Sequence, residues 1–384
     1  MRFSVLDSWR GLAALTVALS RFPADGLIYA SPLVANSYLF VDFFFVLSGF
    51  VIAHAYFAKV KDAASMRTFV IRRFGRLWPL HAFMFLLFLG YETVRAIAPR
   101  VPGAPLPFTG LRDPVSLLPE LGLFTTLGFG PNNWNHPSWS ISAEFWTYLV
   151  FGALCLSFRP AFKRAAAVLA AVALVVVVGT SGSGMDVTFN FGLARCLAGF
   201  FVGCLTYFAW LGAKASVAMS VRSFTAVEGL AVVLALAFVW LAGHSAASFA
   251  APLVFAAVVF VFAFEGGAVS RGLRSRPFLR LGELSYSIYM VALFVALILE
   301  KLVAVVDGRL GGGVLSRLDE AGRIVSLSAP LANDVASLAY LAVVVLVSFA
   351  TYGVIEAPGR RFFNALSAGA RAASVPTPEL PAAE

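Results

Sequence analysis

The chain has 384 residues, 60% of them hydrophobic and 13% charged, with a mean hydropathy of +0.86 and a formal net charge of +9. A water-soluble domain of this size could not keep so apolar a surface in solution, so the composition excludes an ordinary globular fold and places the chain in a lipid bilayer. The positive charge calls for no nucleic-acid partner once it is sorted by membrane side.

Apolar runs near or above the ~18 residues needed to cross a hydrocarbon core recur from end to end. They predict ten transmembrane helices, at Leu6–Phe22, Tyr38–Phe57, Leu77–Val94, Trp139–Phe158, Ala165–Gly179, Gly192–Leu211, Phe224–Ala242, Phe249–Glu265, Ser285–Val306 and Ala336–Ile355. The expected fold is all-α, a polytopic membrane helix bundle, with residues 1–366 as one transmembrane domain. The first apolar stretch is bracketed by Arg10 and Arg21 and no small-residue cleavage site follows it, so it reads as an uncleaved span. With the N-terminus inside, the inner connections carry Lys59, Lys61, Arg67, Arg72, Arg73, Arg76, Arg159, Lys163, Arg164, Lys214, Arg222, Arg271, Arg274, Arg276, Arg280, Arg360, Arg361 and Arg371. The outer connections carry only Arg95, Arg100, Arg112, Arg309, Arg317 and Arg323, and the positive-inside rule then puts both termini in the cytoplasm.

Two outer connections, Arg95 to Ser138 and Asp307 to Val335, are long and rich in Gly, Pro and polar residues, and are suited to cap a site facing outward. Pro114 to Leu127 is expected to hold a short helix too brief to span. The tail, residues 367–384, has little to bury and is expected to be disordered. Cys155, Cys196 and Cys204 lie in apolar runs without metal-type spacing, so they read as packing residues and no metal is expected. No internal repeat is visible, which weakens a transporter built from inverted halves.

Ionisable groups inside spans are costly to bury and are candidates for function. Arg10 and Arg21 are eleven residues apart, close to three helical turns, and so share one face of the first helix about 16 Å apart; alternatively, Arg10 pairs with Asp7 and Arg21 snorkels to the interface. Arg73 and Arg76, at i and i+3, form a pair of guanidinium groups able to clamp phosphate, or else anchor the helix to lipid headgroups. Ser140 and Glu144 share a face of the fourth helix, and a carboxylate there needs a partner or acts as an acid or base. Tyr286 and Tyr289, three apart at the inner end of the ninth span, line a pore or belong to an aromatic belt. Glu356 with Pro358 reads as a helix end. His54, His81 and His244 lack partners at recognisable spacing, and His136 is the one histidine close in sequence to Ser140 and Glu144.

The segments LDSWRGLAAL, VDFFFVLSGF, RRFGRLWPLH, PSWSISAEFW, LGELSYSIYM and IEAPGRRF, in that order from residue 6 to residue 362, resemble the signposts of the type-3 acyltransferase family. The resemblance implies a bacterial inner-membrane enzyme that moves an acyl group, usually acetyl, from cytoplasmic acyl-CoA to a hydroxyl of an extracytoplasmic glycan or lipid-linked sugar. It implies that Arg73 and Arg76 hold the coenzyme phosphates, with Tyr286 and Tyr289 beside them, and that Arg10, Ser140 and Glu144 belong to the catalytic group. The family's first-helix histidine, eleven residues after Arg10, is Arg21 here, and a second expected histidine is Ala292. Arginine offers no lone pair, so Arg21 is no general base, and the base role falls to His136 or Glu144 or is lost. Two other readings stand beside this one: a catalytically silent acyl-CoA-binding relative, and a small-anion or lipid-linked sugar transporter built around Arg10, Arg195 and Glu144.

Overall fold

The computed structural model describes residues 3–99, 105–128, 134–319 and 322–372. In chain order its principal helices are α1 (Ser4–Leu19), α2 (Phe40–Tyr56), α3 (Ala63–Ile97), α4 (Ser138–Ser157), α5 (Phe162–Thr180), α6 (Gly192–Ala213), α7 (Val221–Ala242), α8 (Ala251–Phe262), α9 (Arg276–Arg309), α10 (Pro330–Thr351) and α11 (Ala357–Ala372). Among the described residues, eight helical segments are long and apolar enough to cross a membrane. The protein is therefore an all-α polytopic membrane protein. The expected first and eighth spans correspond to α1 and α8, whose 16 and 12 residues fall short of that length.

Hydropathy misplaced several helix ends, and for one reason. α3 and α9 have 35 and 34 residues, about 50 Å each, which exceeds the ~30 Å hydrocarbon core. Charged residues mark where such a helix leaves the lipid rather than where it begins, so the helix of the third expected span starts at Ala63, before Leu77, and that of the ninth at Arg276, before Ser285. The start of α3 is set by a capping box: Asp62 Oδ1 accepts from the Ser65 amide at 2.8 Å, and Ser65 Oγ accepts from the Asp62 amide at 3.1 Å. Nor does Glu356 end the last helix. A π-helical turn, Tyr352–Glu356, passes the chain from α10 into α11. α11 runs back along the first half of α3, with Gly359 against Pro79, Phe363 against Gly75, and Arg72 Nε donating to Ser367 Oγ at 2.9 Å. The helix thus enters the expected tail as far as Ala372, and residues 373–384 lie outside the described residues.

Two glycine-mediated crossings fix the helices that matter for the site. A Cβ on Gly11 would lie 2.6 Å from the carbonyl carbon of Leu281, and one on Gly282 would lie 2.4 Å from the Asp7 carbonyl oxygen, so α1 and α9 meet backbone to backbone. At α2 and α6 the same test puts a Gly49 Cβ 1.8 Å from the Phe200 oxygen and a Gly203 Cβ 1.9 Å from the Val46 oxygen. Lipid supplies no hydrophobic drive between helices, and close contact at small residues takes its place. α7 lies at the periphery and exposes Leu230, Val233, Leu234 and Leu241, as a lipid-facing helix should.

The connection after α3 does not form one short helix over Pro114–Leu127: an α-turn, Leu117–Leu121, is flanked by 3-10 turns at Gly110–Arg112, Pro114–Ser116 and Thr125–Leu127. The connection after α9 holds a hairpin that no alternation in the sequence announced, β1 (Ser316–Asp319) against β2 (Gly322–Val325). Val325 extends it to the segment after α1, donating to the Pro23 carbonyl at 3.0 Å and accepting from the Asp25 amide at 2.9 Å.

Candidate active site

Residues from α1, α2, α3, α4 and α9 enclose a cavity of ≈ 140 Å³ lined by Arg10, Phe44, Leu47, Ser48, Val51, Ile52, Arg73, Arg76, Leu77, Ser140, Ile141, Glu144, Tyr148, Ser285, Tyr286 and Tyr289. Seven of the residues singled out from sequence, Arg10, Arg73, Arg76, Ser140, Glu144, Tyr286 and Tyr289, therefore share one space. Arg21 does not line it.

Arg10 owes its position to the Gly11–Gly282 crossing. Its Nε donates to Ser285 Oγ at 2.7 Å and Nη2 to the Gly282 carbonyl at 3.1 Å, and Asp7 pairs with it at 3.3 Å. Both alternatives for this residue thus hold at once: it pairs with Asp7 and it faces the cavity. Arg76 forms an ion pair with Glu356, which is 2% exposed and also accepts from Ser287 Oγ at 2.8 Å, and its guanidinium lies 5.5 Å from the Tyr286 ring centre. The π-helical turn carries Glu356 to this place. Arg73 is differently provided for: its Nη2 donates to the Tyr56 hydroxyl at 3.1 Å and its guanidinium lies 5.0 Å from that ring, but its buried Nε has no hydrogen-bond partner among the described residues.

On the facing wall, Glu144 Oε1 accepts from Ser48 Oγ and from the Tyr148 hydroxyl, both at 2.5 Å. Ser140 Oγ donates to the Pro137 carbonyl at 2.9 Å and lies 2.9 Å from the Tyr289 hydroxyl. The Tyr286 hydroxyl donates to the Leu77 carbonyl. α3 is long enough to carry Arg73 and Arg76 to the level that Glu144 reaches from α4, so the guanidinium pair and the carboxylate line one cavity. Tyr286 and Tyr289 sit three turns into α9 rather than at its end. Chemically, the cavity offers guanidinium groups for anions and carbonyl oxygens, and a carboxylate held by two hydroxyls able to take a proton.

Sequence reasoning missed Ser48, Tyr148, Ser285, Tyr56 and Glu356. Tyr148 stands four residues after Glu144 and was within reach of helical spacing. Ser48 and Glu356 come to the site from elements 96 and 280 residues away from their partners, and no local pattern announces that.

Arg195, counted among the buried charges of a transporter reading, lies away from the cavity. It is held by Asp42 at 2.9 and 2.7 Å and by the carbonyls of Tyr38 at 3.0 Å and Val187 at 3.2 Å, so each of its nitrogens is bound. Ala292 is 1% exposed and contributes only its carbonyl, which accepts from the Tyr340 hydroxyl at 3.1 Å. At the end of α1, Arg21 is fixed by its amide bonding the Ala18 carbonyl at 2.9 Å, while its side-chain Nε is closed off from solvent without a hydrogen-bond partner among the described residues. His136, just before α4, packs edge-on to Phe189 at 5.8 Å. Burial first, and then the charge of Arg21, push its imidazole down to about 4, so the ring is neutral at physiological pH. His81 bonds the Glu120 carbonyl at 2.8 Å, His54 packs against Phe3 and Tyr207, and His244 stacks on Tyr38; none of the three reaches the cavity.

A family described as "Acyltransferase domain" matches residues 3–353, a stretch that includes every residue lining the cavity. The chain is 34% identical over 194 residues to "Protein 2 in picA locus" of Rhizobium radiobacter, covering 47% of this chain and 95% of that protein. It is 35% identical over 162 residues to "Acyltransferase MdmB" of Streptomyces mycarofaciens, covering 39% of this chain and 38% of that one. No solved structure matches. The chain is thus a membrane acyltransferase by descent and belongs to the type-3 acyltransferase family.

Proposed function

We propose that this protein, in the inner membrane of a bacterium, moves an acyl group, acetyl in the simplest case, from cytoplasmic acyl-CoA to a hydroxyl of an extracytoplasmic glycan or lipid-linked sugar. The observation that carries the reading is the convergence of Arg10, Arg73, Arg76, Ser140, Glu144, Tyr286 and Tyr289 on one cavity. The basic connections face the cytoplasm in this reading, which puts Arg73 and Arg76 on the donor side. Arg73, with no carboxylate partner among the described residues, takes the coenzyme phosphates, while Arg76, braced by Glu356, keeps the second positive charge in place. Tyr286 and Tyr289 flank the path of the thioester arm.

In the transfer step the acceptor oxygen attacks the thioester carbonyl, the new C–O bond forms and the C–S bond breaks. Glu144 receives the hydroxyl proton, and the departing sulfur takes up a proton to leave as the coenzyme thiol. Arg10, immobilised by Asp7, Ser285 and Gly282, faces the oxygen on which negative charge develops, and a cation already in place needs no reorganisation there. Ser140, tied to Tyr289, orients the reacting groups. Glu144 supplies the base function that Arg21 cannot.

Membranes containing the protein, given labelled acetyl-CoA and a surface-glycan acceptor, are expected to transfer label. Glu144→Gln lowers the rate by about 10²- to 10⁴-fold, and Arg73→Ala combined with Arg76→Ala abolishes coenzyme binding. Coenzyme binding without transfer would replace this reading with that of a silent acyl-CoA-binding relative, which Arg21 and Ala292 favour over an intact family site.

A further inference from the structure

Three arginines inside the bundle are neutralised by carboxylates of the chain itself: Arg10 by Asp7, Arg76 by Glu356 and Arg195 by Asp42. Two others, Arg73 and Arg21, have no carboxylate partner among the described residues. The reading above gives Arg73 an anionic group of the donor. Arg21 is barer still: among the described residues its side chain makes no hydrogen bond, and its Nε is shut away from water. The residue as a whole is only partly buried, so its guanidinium stands at the end of α1 with no carboxylate of the described fold beside it and open to an anion from outside.

The surroundings indicate what does. Arg21 lies within electrostatic reach of both His136 and Tyr289, the latter on the cavity wall. His136 packs edge-on to Phe189 at 5.8 Å, and Phe189 forms part of the wall of a second, open concavity of ≈ 400 Å³. Its other lining groups include Ser183, Thr188 and Asn190, hydroxyls and an amide set beside aromatic rings, and Asp186, whose carboxylate is drawn toward Arg195 at 4.0 Å and His244 at 3.6 Å. Donors and acceptors of this kind next to a ring face suit a sugar, whose hydroxyls need partners and whose C–H faces need an apolar surface. His136, against Phe189 of this concavity, stands four residues before Ser140 of the cavity wall.

We propose that Arg21 binds an anionic group, carboxylate or phosphate, carried by the acceptor, whose sugar lies in the concavity beside Phe189, so that the substrate class is an acidic glycan or a phosphorylated sugar. This rests on the reading that acyl transfer serves an acceptor at this end of the bundle. The guanidinium fork matches either anion in bidentate geometry, and the anion provides the counter-charge that the fold withholds.

The test is a calorimetric titration of the detergent-purified protein, without coenzyme, with D-glucuronate, D-glucose 6-phosphate and uncharged methyl D-glucoside. At least one anionic probe is expected to bind about tenfold or more tighter than the glucoside, about 1.4 kcal/mol, within what a charge-assisted hydrogen bond supplies. Tighter glucuronate identifies a carboxylate acceptor, tighter glucose 6-phosphate a phosphorylated one. Arg21→Gln loses the preference, Arg21→Lys keeps part of it and Arg222→Gln, at an exposed position of α7, keeps it. Equal binding of all three probes, no binding of either anion, or a preference that persists in Arg21→Gln overturns the proposal. Since no turnover is measured, its failure is distinct from failure of acyl transfer: a chain that acylates a neutral glycan and ignores both anions would keep the proposed function and lose this inference.

Discussion

Arg10 and Arg21 stand eleven residues apart, yet Arg10 is held by Asp7 at 3.3 Å, Ser285 at 2.7 Å and the Gly282 carbonyl at 3.1 Å, while the side chain of Arg21 bonds nothing among the described residues. The acids differ in the same way. Glu356, beside the cavity, is 2% exposed and paired with Arg76. Glu120, which packs against the segment holding His136, is fully buried with no cation paired to it among the described residues; the Ser138 hydroxyl donates to its Oε1, and burial pushes its carboxyl up to about 8. At Arg10 and Arg76 on the cavity, then, charge is balanced within the chain. Toward the long connections it is removed by protonation at Glu120, by deprotonation at His136, or left for a ligand at Arg21. A wall balanced within itself can be rigid before substrate arrives; a mouth that is not becomes complete only when substrate arrives.

The largest expected effect tests the balanced half. Arg76→Ala leaves Glu356 buried without its cation, a change that costs about 3–5 kcal/mol, whereas Arg73→Ala removes one hydrogen bond and a ring contact and costs about 1 kcal/mol. Thermal unfolding in detergent should separate the two, and Arg76→Met with Glu356→Leu should recover much of the loss, because an apolar pair of similar size leaves no stranded charge. Equal destabilisation by Arg76→Ala and Arg73→Ala would show that the ion pair is not what holds this wall.

What the sequence made legible divides along the same line. Helical spacing placed Arg73 with Arg76, Ser140 with Glu144 and Tyr286 with Tyr289, since each pair lies within a turn of one helix. That the three pairs face one cavity depends on helix packing, and the glycines that set it, Gly11, Gly49, Gly203 and Gly282, look in sequence like any other glycine of an apolar run. Glu356 read as a helix end because proline follows two residues later, but Pro358 falls in the first turn of α11, where a missing amide costs nothing. Helix lengths were misjudged wherever a helix outran the lipid, as α3 does at Arg67 to Arg76. The β1–β2 hairpin is too short for alternation to show.

A smaller effect tests the unbalanced half through pH. Glu120 has a folded pKa of about 8 against an ordinary 4.5, so the folded chain holds a proton that the unfolded chain releases. Its contribution is complete below pH 4.5 and is lost as pH rises through about 8. The melting temperature should therefore fall by a few degrees between pH 5 and pH 8.5, less than with Arg76→Ala, because the connection can relax outward and admit water to the ionised carboxylate. Glu120→Gln, neutral at every pH, should flatten this slope. A slope unchanged in that variant would assign it to another group.

The smallest expected change is at Arg21, and there a null result in stability is the informative one. Replacing a paired arginine strands its partner; replacing one that has no carboxylate partner among the described residues strands nothing. Arg21→Gln should leave the melting temperature unchanged or raise it slightly. The sign at His136 is fixed by the same electrostatics: a nearby cation disfavours the imidazolium, so removing it moves the pKa upward from about 4, and burial, the larger cause, keeps it below the ordinary 6.5. Nuclear magnetic resonance of ring-labelled histidine reads this shift directly, since the other histidines serve as internal controls. If Arg21→Gln instead destabilises the protein as much as Arg76→Ala does, Arg21 has a structural partner after all and both ends of the first helix are balanced alike. If stability holds and His136 moves upward, the cation at position 21 is one that the fold tolerates without using, which is the condition a ligand-binding arginine must meet.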